Sequence, residues 1–177
     1  SMLGRVLARM GLVEEAIEQA RISLDIANKL EHPPPIAYAT FWVGWVHHAR
    51  EEFAIACGPL ETAMELSRKY GLPHFLEWSR ILRGSSLAHL GRLTEGIADM
   101  RLSLDNQLSM RCMLERPFCL TLLAEALLFS GGHEEALKCC DEALEISQKT
   151  HGKSYEAEAI QIRERALRAF AKAAGDD

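Results

Sequence analysis

Small residues recur in this chain every 40 positions. Gly4, Gly44, Gly84 and Ala124 form one column, Ala16, Ala56, Gly96 and Ala136 a second, and Ser23, Ala63, Ser103 and Ala143 a third. A large apolar column, Leu24, Met64, Leu104 and Leu144, follows the third directly. Helices that cross closely need small side chains where their backbones meet and large ones in the gaps between. A pattern that returns four times in register is one packing unit used four times. The chain is thereby constrained to an all-α solenoid, and solenoids chiefly bind other molecules along an extended surface.

The unit is clearest from Leu72 to Met110. Pro73 suits the first turn of a helix, where its missing N–H is not needed. Phe75, Trp78, Ile81, Leu82, Leu87 and Leu90 follow at helical spacing, and Gly91 supplies an easy left-handed stop. Thr94 and Glu95 open a second helix, whose apolar stripe is Ile97, Met100, Leu104 and Leu108. Gly11 and Gly131 repeat the turn of Gly91, whereas Glu51 stands at that place in the second unit and implies a strained turn. Nine helices are expected, near 3–10, 14–30, 35–50, 53–70, 74–90, 93–110, 114–130, 133–149 and 153–173. They form a single domain of units 3–32, 33–72, 73–112 and 113–152 with a capping helix over 153–173, about four and a half repeats.

Composition narrows the partners. Of 177 residues, 48% are hydrophobic and 25% charged, enough for a core and a wet surface. A net charge of −5 disfavours nucleic acid and anionic membranes, which are bound largely through Lys and Arg. The apolar run from Cys119 to Phe129 is too short to span a bilayer. Five cysteines without CxxC or framework spacing point to a reducing, cytoplasmic compartment. The helical pattern is already under way at Leu3, as in a segment of a longer protein, and Leu3, Val6 and Leu7 would leave an uncapped edge open to self-association.

The columns resemble the tetratricopeptide repeat (TPR). That family places small residues midway along its first helix, early in its second and near the second helix's end, matched here by Gly84, Gly96 and Ser103 and by Gly44, Ala56 and Ala63. The period departs from the family's: 40 residues instead of 34, roughly one extra turn per helix. The family's early tryptophan is replaced by Thr40, Arg80 and Leu120. Trp78 to Gly84, and Leu90 to Ile97, are also similar to the C-terminal repeat arrays of large bacterial signalling ATPases, including those fused to nucleotide-cyclase or transcription-factor domains. The resemblance implies a right-handed superhelix that binds a protein or peptide segment, or another domain of its parent, with any ATPase or cyclase lying outside this chain.

In such repeats the first helices line the concave groove. On that face stand Tyr38, Phe41, Trp45 and His48, then Trp78, Ile81, Ser85 and His89, then Phe118, Thr121 and Glu125. This aromatic band suits an amphipathic or apolar peptide; the competing reading is that the longer helices bury it as core. The Lys and Asn clamp by which related repeats grip a terminal carboxylate is absent, since Phe41, Trp45, Trp78 and Leu82 hold the matching places. A second functional reading is a small-molecule sensor with Trp45, Trp78, His48 and His89 around an enclosed pocket.

No catalytic set, cofactor or metal is expected. There is no phosphate loop or nucleophile elbow, and adjacent His47 and His48 point about 100° apart on a helix. Cys139 and Cys140 suit packing, and Arg165, Arg168 and Lys172 suit a solvated face of the last helix.

Overall fold

The computed structural model describes residues 10, 12–29, 32–112, 115–150 and 155–175. Among these the chain is all helical: α1 Val13–Lys29, α2 Pro33–Ala49, α3 Phe53–Lys69, α4 Pro73–His89, α5 Leu93–Ser109, α6 Arg116–Phe129, α7 His133–Thr150 and α8 Glu156–Gly175. The helix expected over 3–10, the turn at Gly11 and the edge formed by Leu3, Val6 and Leu7 lie outside the described residues, apart from Met10. Each helix packs antiparallel on the next. Successive first helices, α2, α4, α6 and α8, also touch one another, whereas successive second helices stand apart. The stack therefore closes on the first-helix side.

The turns recur every 20 residues, half the spacing read from the glycines alone. Glu51, Gly71, Gly91, Arg111 and Gly131 all have positive φ, between 54° and 82°. The N–H that follows each reaches back over the last helical turn: Glu52 to His47 O at 3.0 Å, Leu72 to Ser67 O at 2.8 Å, Arg92 to Leu87 O at 2.9 Å, Cys112 to Gln107 O at 2.9 Å and Gly132 to Leu127 O at 2.8 Å. These are Schellman closures, which satisfy carbonyls that a helix end otherwise leaves open. Glu51 does sit in the strained conformation its place in the column implies. Arg111 does the same in the connection between units, at a cost of about 1 kcal/mol for a side chain in this region.

Packing within a unit is set by size matching. A Cβ on Gly84 would lie 2.7 Å from Gly96 O and 2.8 Å from Met100 Cγ, and one on Gly44 would lie 2.6 Å from Leu60 Cγ. The column opposite the small residues is thus Leu60, Met100 and Cys140, all fully buried. Where the small column changes from glycine to Ala124, the large column changes in the opposite direction, to Cys140. The third column does further work in unit three: Ser103 Oγ donates to Glu77 O at 2.8 Å. Glu77 itself is 3% exposed. It accepts from Arg80 at 3.1 Å and from Asn106 at 3.0 Å, and burial pushes its carboxyl above the usual range. The sequence showed no sign of this buried acid.

Continued to α8, the small column reaches Glu164, too large for a helix to cross as α5 crosses α4. Ile160 and Leu167 are exposed there, although Leu120 and Leu127, their counterparts 40 residues earlier, are buried, and Phe170 is exposed as well.

Candidate functional site

The first-helix layer divides into an aromatic end and a polar end. At the aromatic end Tyr38 meets Phe75 at 5.3 Å and Trp42 at 5.9 Å between ring centroids. Phe41 meets Trp42 at 5.0 Å and Trp78 at 5.9 Å, and Trp42 meets Trp45 at 5.8 Å. These are edge or tilted contacts of the kind aromatic pairs prefer. A cavity of about 30 Å³ opens among Phe41, Trp42 and Trp45 of α2, Trp78, Ile81 and Leu82 of α4, and Phe118 and Cys119 of α6. Glu115 and Tyr155 complete its wall, and the Tyr155 hydroxyl donates to Glu115 Oε2 at 2.7 Å. Neither of these two was picked out from the sequence, although their 40-residue separation was a visible signal.

At the polar end His48 Nε2 lies 3.1 Å from Ser85 Oγ. His89 stacks on Phe53 at 4.0 Å, meets Phe129 edge-on at 5.0 Å, and places Nε2 3.4 Å from Glu125 Oε2. Arg165 closes the row by donating to Glu125 Oε1 at 2.8 Å. Arg165 stays exposed, as expected of a solvated face, and its ion pair ties α8 to the first-helix layer. Arg168 keeps a local partner, Glu164, one turn away. Burial, then the nearby His89, lowers the His48 pKa to about 4. The hydrogen bond with His89, then that with Arg165, holds the Glu125 carboxyl down at about 2.

The eleven candidate residues thus share one layer but not one environment. Phe41, Ile81, Ser85 and Thr121 are buried and support the layer from beneath. Tyr38, Trp45, His48, Trp78, His89, Phe118 and Glu125 are half-buried. For the first four, the core alternative is the one realised, because contact between successive first helices shuts the faces nearest their neighbours. His47 turns away from His48 to Glu52, 2.7 Å from Oε2. Burial raises the Cys139 and Cys140 thiols to about 12 and 11, so both stay protonated and unreactive at neutral pH. Among the described residues no three metal-ligating side chains converge, and no helix is long and apolar enough to cross a membrane.

A tetratricopeptide repeat family model matches residues 119–156. No protein of curated function matches the chain. Among solved structures it is similar to the apo form of RapI, with a TM-score of 0.73 at 16% identity over 96% of this chain. It spans 66% of the length of RapI. It is also similar to the nearly identical TPR-like repeats of a putative kinesin light chain from Podosopora anserina, with a TM-score of 0.68 at 19% identity, covering 97% of this chain and 85% of that one. A variant form of the same repeats gives 0.69 at the same identity, with 97% and 84% covered. The fold is accordingly a solenoid of TPR-like repeats. Residues 119–156, spanning α6 and α7 and reaching the start of α8, are the part the family model itself identifies.

Proposed function

We propose that the chain is a non-catalytic module that binds a protein or peptide segment, as a regulatory part of a larger cytoplasmic signalling protein of bacterial type. The observation that carries this reading is the apolar cavity shared by three successive first helices, with the half-buried rings of Trp45, Trp78 and Phe118 in its wall. A segment lying across it would contact all three helices at once. Binding would shift the parent's activity only by favouring the parent's state in which this layer is available. The small-molecule reading is less well supported. His48 and His89 are not in the cavity wall, and about 30 Å³ has room for one water, against roughly 300–1,000 Å³ for ordinary ligand pockets.

Selection from a displayed library of random peptides tests the proposal. Peptides enriched on the chain should bind Trp45→Ala and Phe118→Ala about ten-fold more weakly, close to 1.4 kcal/mol, with the helical circular dichroism unchanged. Enriched peptides that bind both variants as well as wild type would place the binding surface elsewhere. Trp78 is the poorer choice for this test, because its ring packs on Phe41 at 5.9 Å and Phe75 at 5.8 Å and truncation would also loosen the layer.

A further inference from the structure

Helix α8 leaves one face unpaired. Ala157, Ile160, Glu164, Leu167 and Ala171 follow one another at alternating spacings of three and four, which sets them in one stripe along the helix, and all of them are exposed. The opposite face is closed, with Ala159, Ile162 and Ala166 buried. Both flanks are tied down: Arg165 binds Glu125 of α6, and Arg163 donates to Asp141 of α7 at 2.6 Å. Ile160 and Leu167, at 44% and 43% exposure, therefore stand on the side of α8 that no described helix covers. A contiguous apolar stripe with a polar rim marks an interaction surface.

The chemistry of the stripe selects its occupant. A further helix of the solenoid cannot cross α8 as α5 crosses α4, because Glu164 holds the place of Gly84 and Ala124. The stripe does match a second copy of itself. Glu164 accepts from Arg168 one turn away at 3.2 Å, and both side chains are largely exposed. Two α8 helices laid parallel would oppose Glu164 to Glu164, which like charge disfavours. Laid antiparallel, about a two-fold axis level with residues 165 and 166, they bring Glu164 of each copy to Arg168 of the other. The same register sets Ile160 opposite Ala171, large against small, and Leu167 opposite the aliphatic stem of Glu164.

We infer that α8 is the contact by which two copies of this chain pair, antiparallel across the stripe of Ile160, Glu164 and Leu167. The pair joins two arrays at their α8 ends and leaves Trp45 and Trp78, on α2 and α4, uncovered. One helix face is a small interface, so the dimer is weak, with half-dissociation at about 10–100 µM.

Sedimentation equilibrium of the full chain, from about 5 to 500 µM, should show a reversible monomer–dimer equilibrium. Leu167→Glu should weaken pairing by about ten-fold or more, with the helical circular dichroism unchanged because the side chain is exposed. Glu164→Arg and Arg168→Glu should each weaken it about ten-fold, since each sets like charges across the axis. An equimolar mixture of these two variants should restore it, because one then carries two cations along the stretch where the other carries two acids. The ion pair within each chain stays broken in the mixture, so the recovery reads contacts between copies alone. A wild-type chain that stays monomeric throughout would overturn the inference and leave the stripe to a different protein. A dimer that Leu167→Glu leaves intact would overturn it by placing self-association elsewhere, and a mixture no tighter than its two components would overturn the antiparallel register.

Discussion

Gly84→Ala places one methyl group where two helix backbones touch. The new Cβ would stand 2.7 Å from Gly96 O, 2.8 Å from Met100 Cγ and 3.1 Å from Asp99 Cβ. The first of these is backbone, so relief requires α4 and α5 to separate. Overpacking of this kind costs about 3 kcal/mol at the upper end of its usual range. Alanine returns about 1 kcal/mol of helix propensity. The net loss is about 2 kcal/mol, or roughly 4–8 °C in Tm for a domain of this size. Gly91→Ala provides the contrast. Its new methyl meets nothing within 4 Å, and only the backbone at φ +82° resists it, at about 1 kcal/mol or roughly 2–4 °C. Thermal melts followed by circular dichroism compare the two. The double variant Gly84→Ala with Gly96→Ala adds a sharper check. A Cβ on Gly96 would lie 2.4 Å from Gly84 O, so both methyls push the same two helices apart, and the combined loss should fall short of the sum. A Gly84→Ala protein that melts like wild type, or above Gly91→Ala, would refute the close crossing, and strict additivity would refute the shared contact.

Glu51→Gly should stabilise the fold by about 0.5–1 kcal/mol in urea titrations, because φ +60° costs glycine nothing and Glu51 is exposed; a loss would show that its side chain, not its backbone, matters there. Acid should weaken the fold in two stages. His48, lowered to about 4, contributes stability that is complete above its ordinary 6.5 and lost as pH falls towards 4, because the unfolded chain takes up the proton first. Glu125, lowered to about 2, contributes stability lost between its ordinary 4.5 and 2. His48→Gln should flatten the upper stage, about 2 kcal/mol once the partial exposure of the imidazole is allowed for. An unchanged slope between pH 6.5 and 4 would assign that stage to another group.

Much of the architecture was written locally in the chain. Pro33 and Pro73 open their helices, Gly91 and Gly131 close theirs, and the small columns mark the crossings, because each acts through its own backbone or its own bulk. The 40-residue ruler also placed the eleven candidate residues in one layer, since helical spacing sets angular position. What it could not set was the separation of successive first helices, which depends on the volumes of side chains far apart in sequence, such as Phe41 against Trp78. That separation decides that Phe41, Ile81, Ser85 and Thr121 close into the core while Trp45 and Phe118 stay half-open. It brings Arg165 onto Glu125 and seals Glu77 with Arg80 and Asn106. The left-handed turn at Arg111 also escaped notice, because arginine bears no mark of a conformation that only the surrounding helices impose. Periodicity reports the angle at which a side chain leaves its helix; only packing between helices determines whether solvent, a partner or another side chain meets it there.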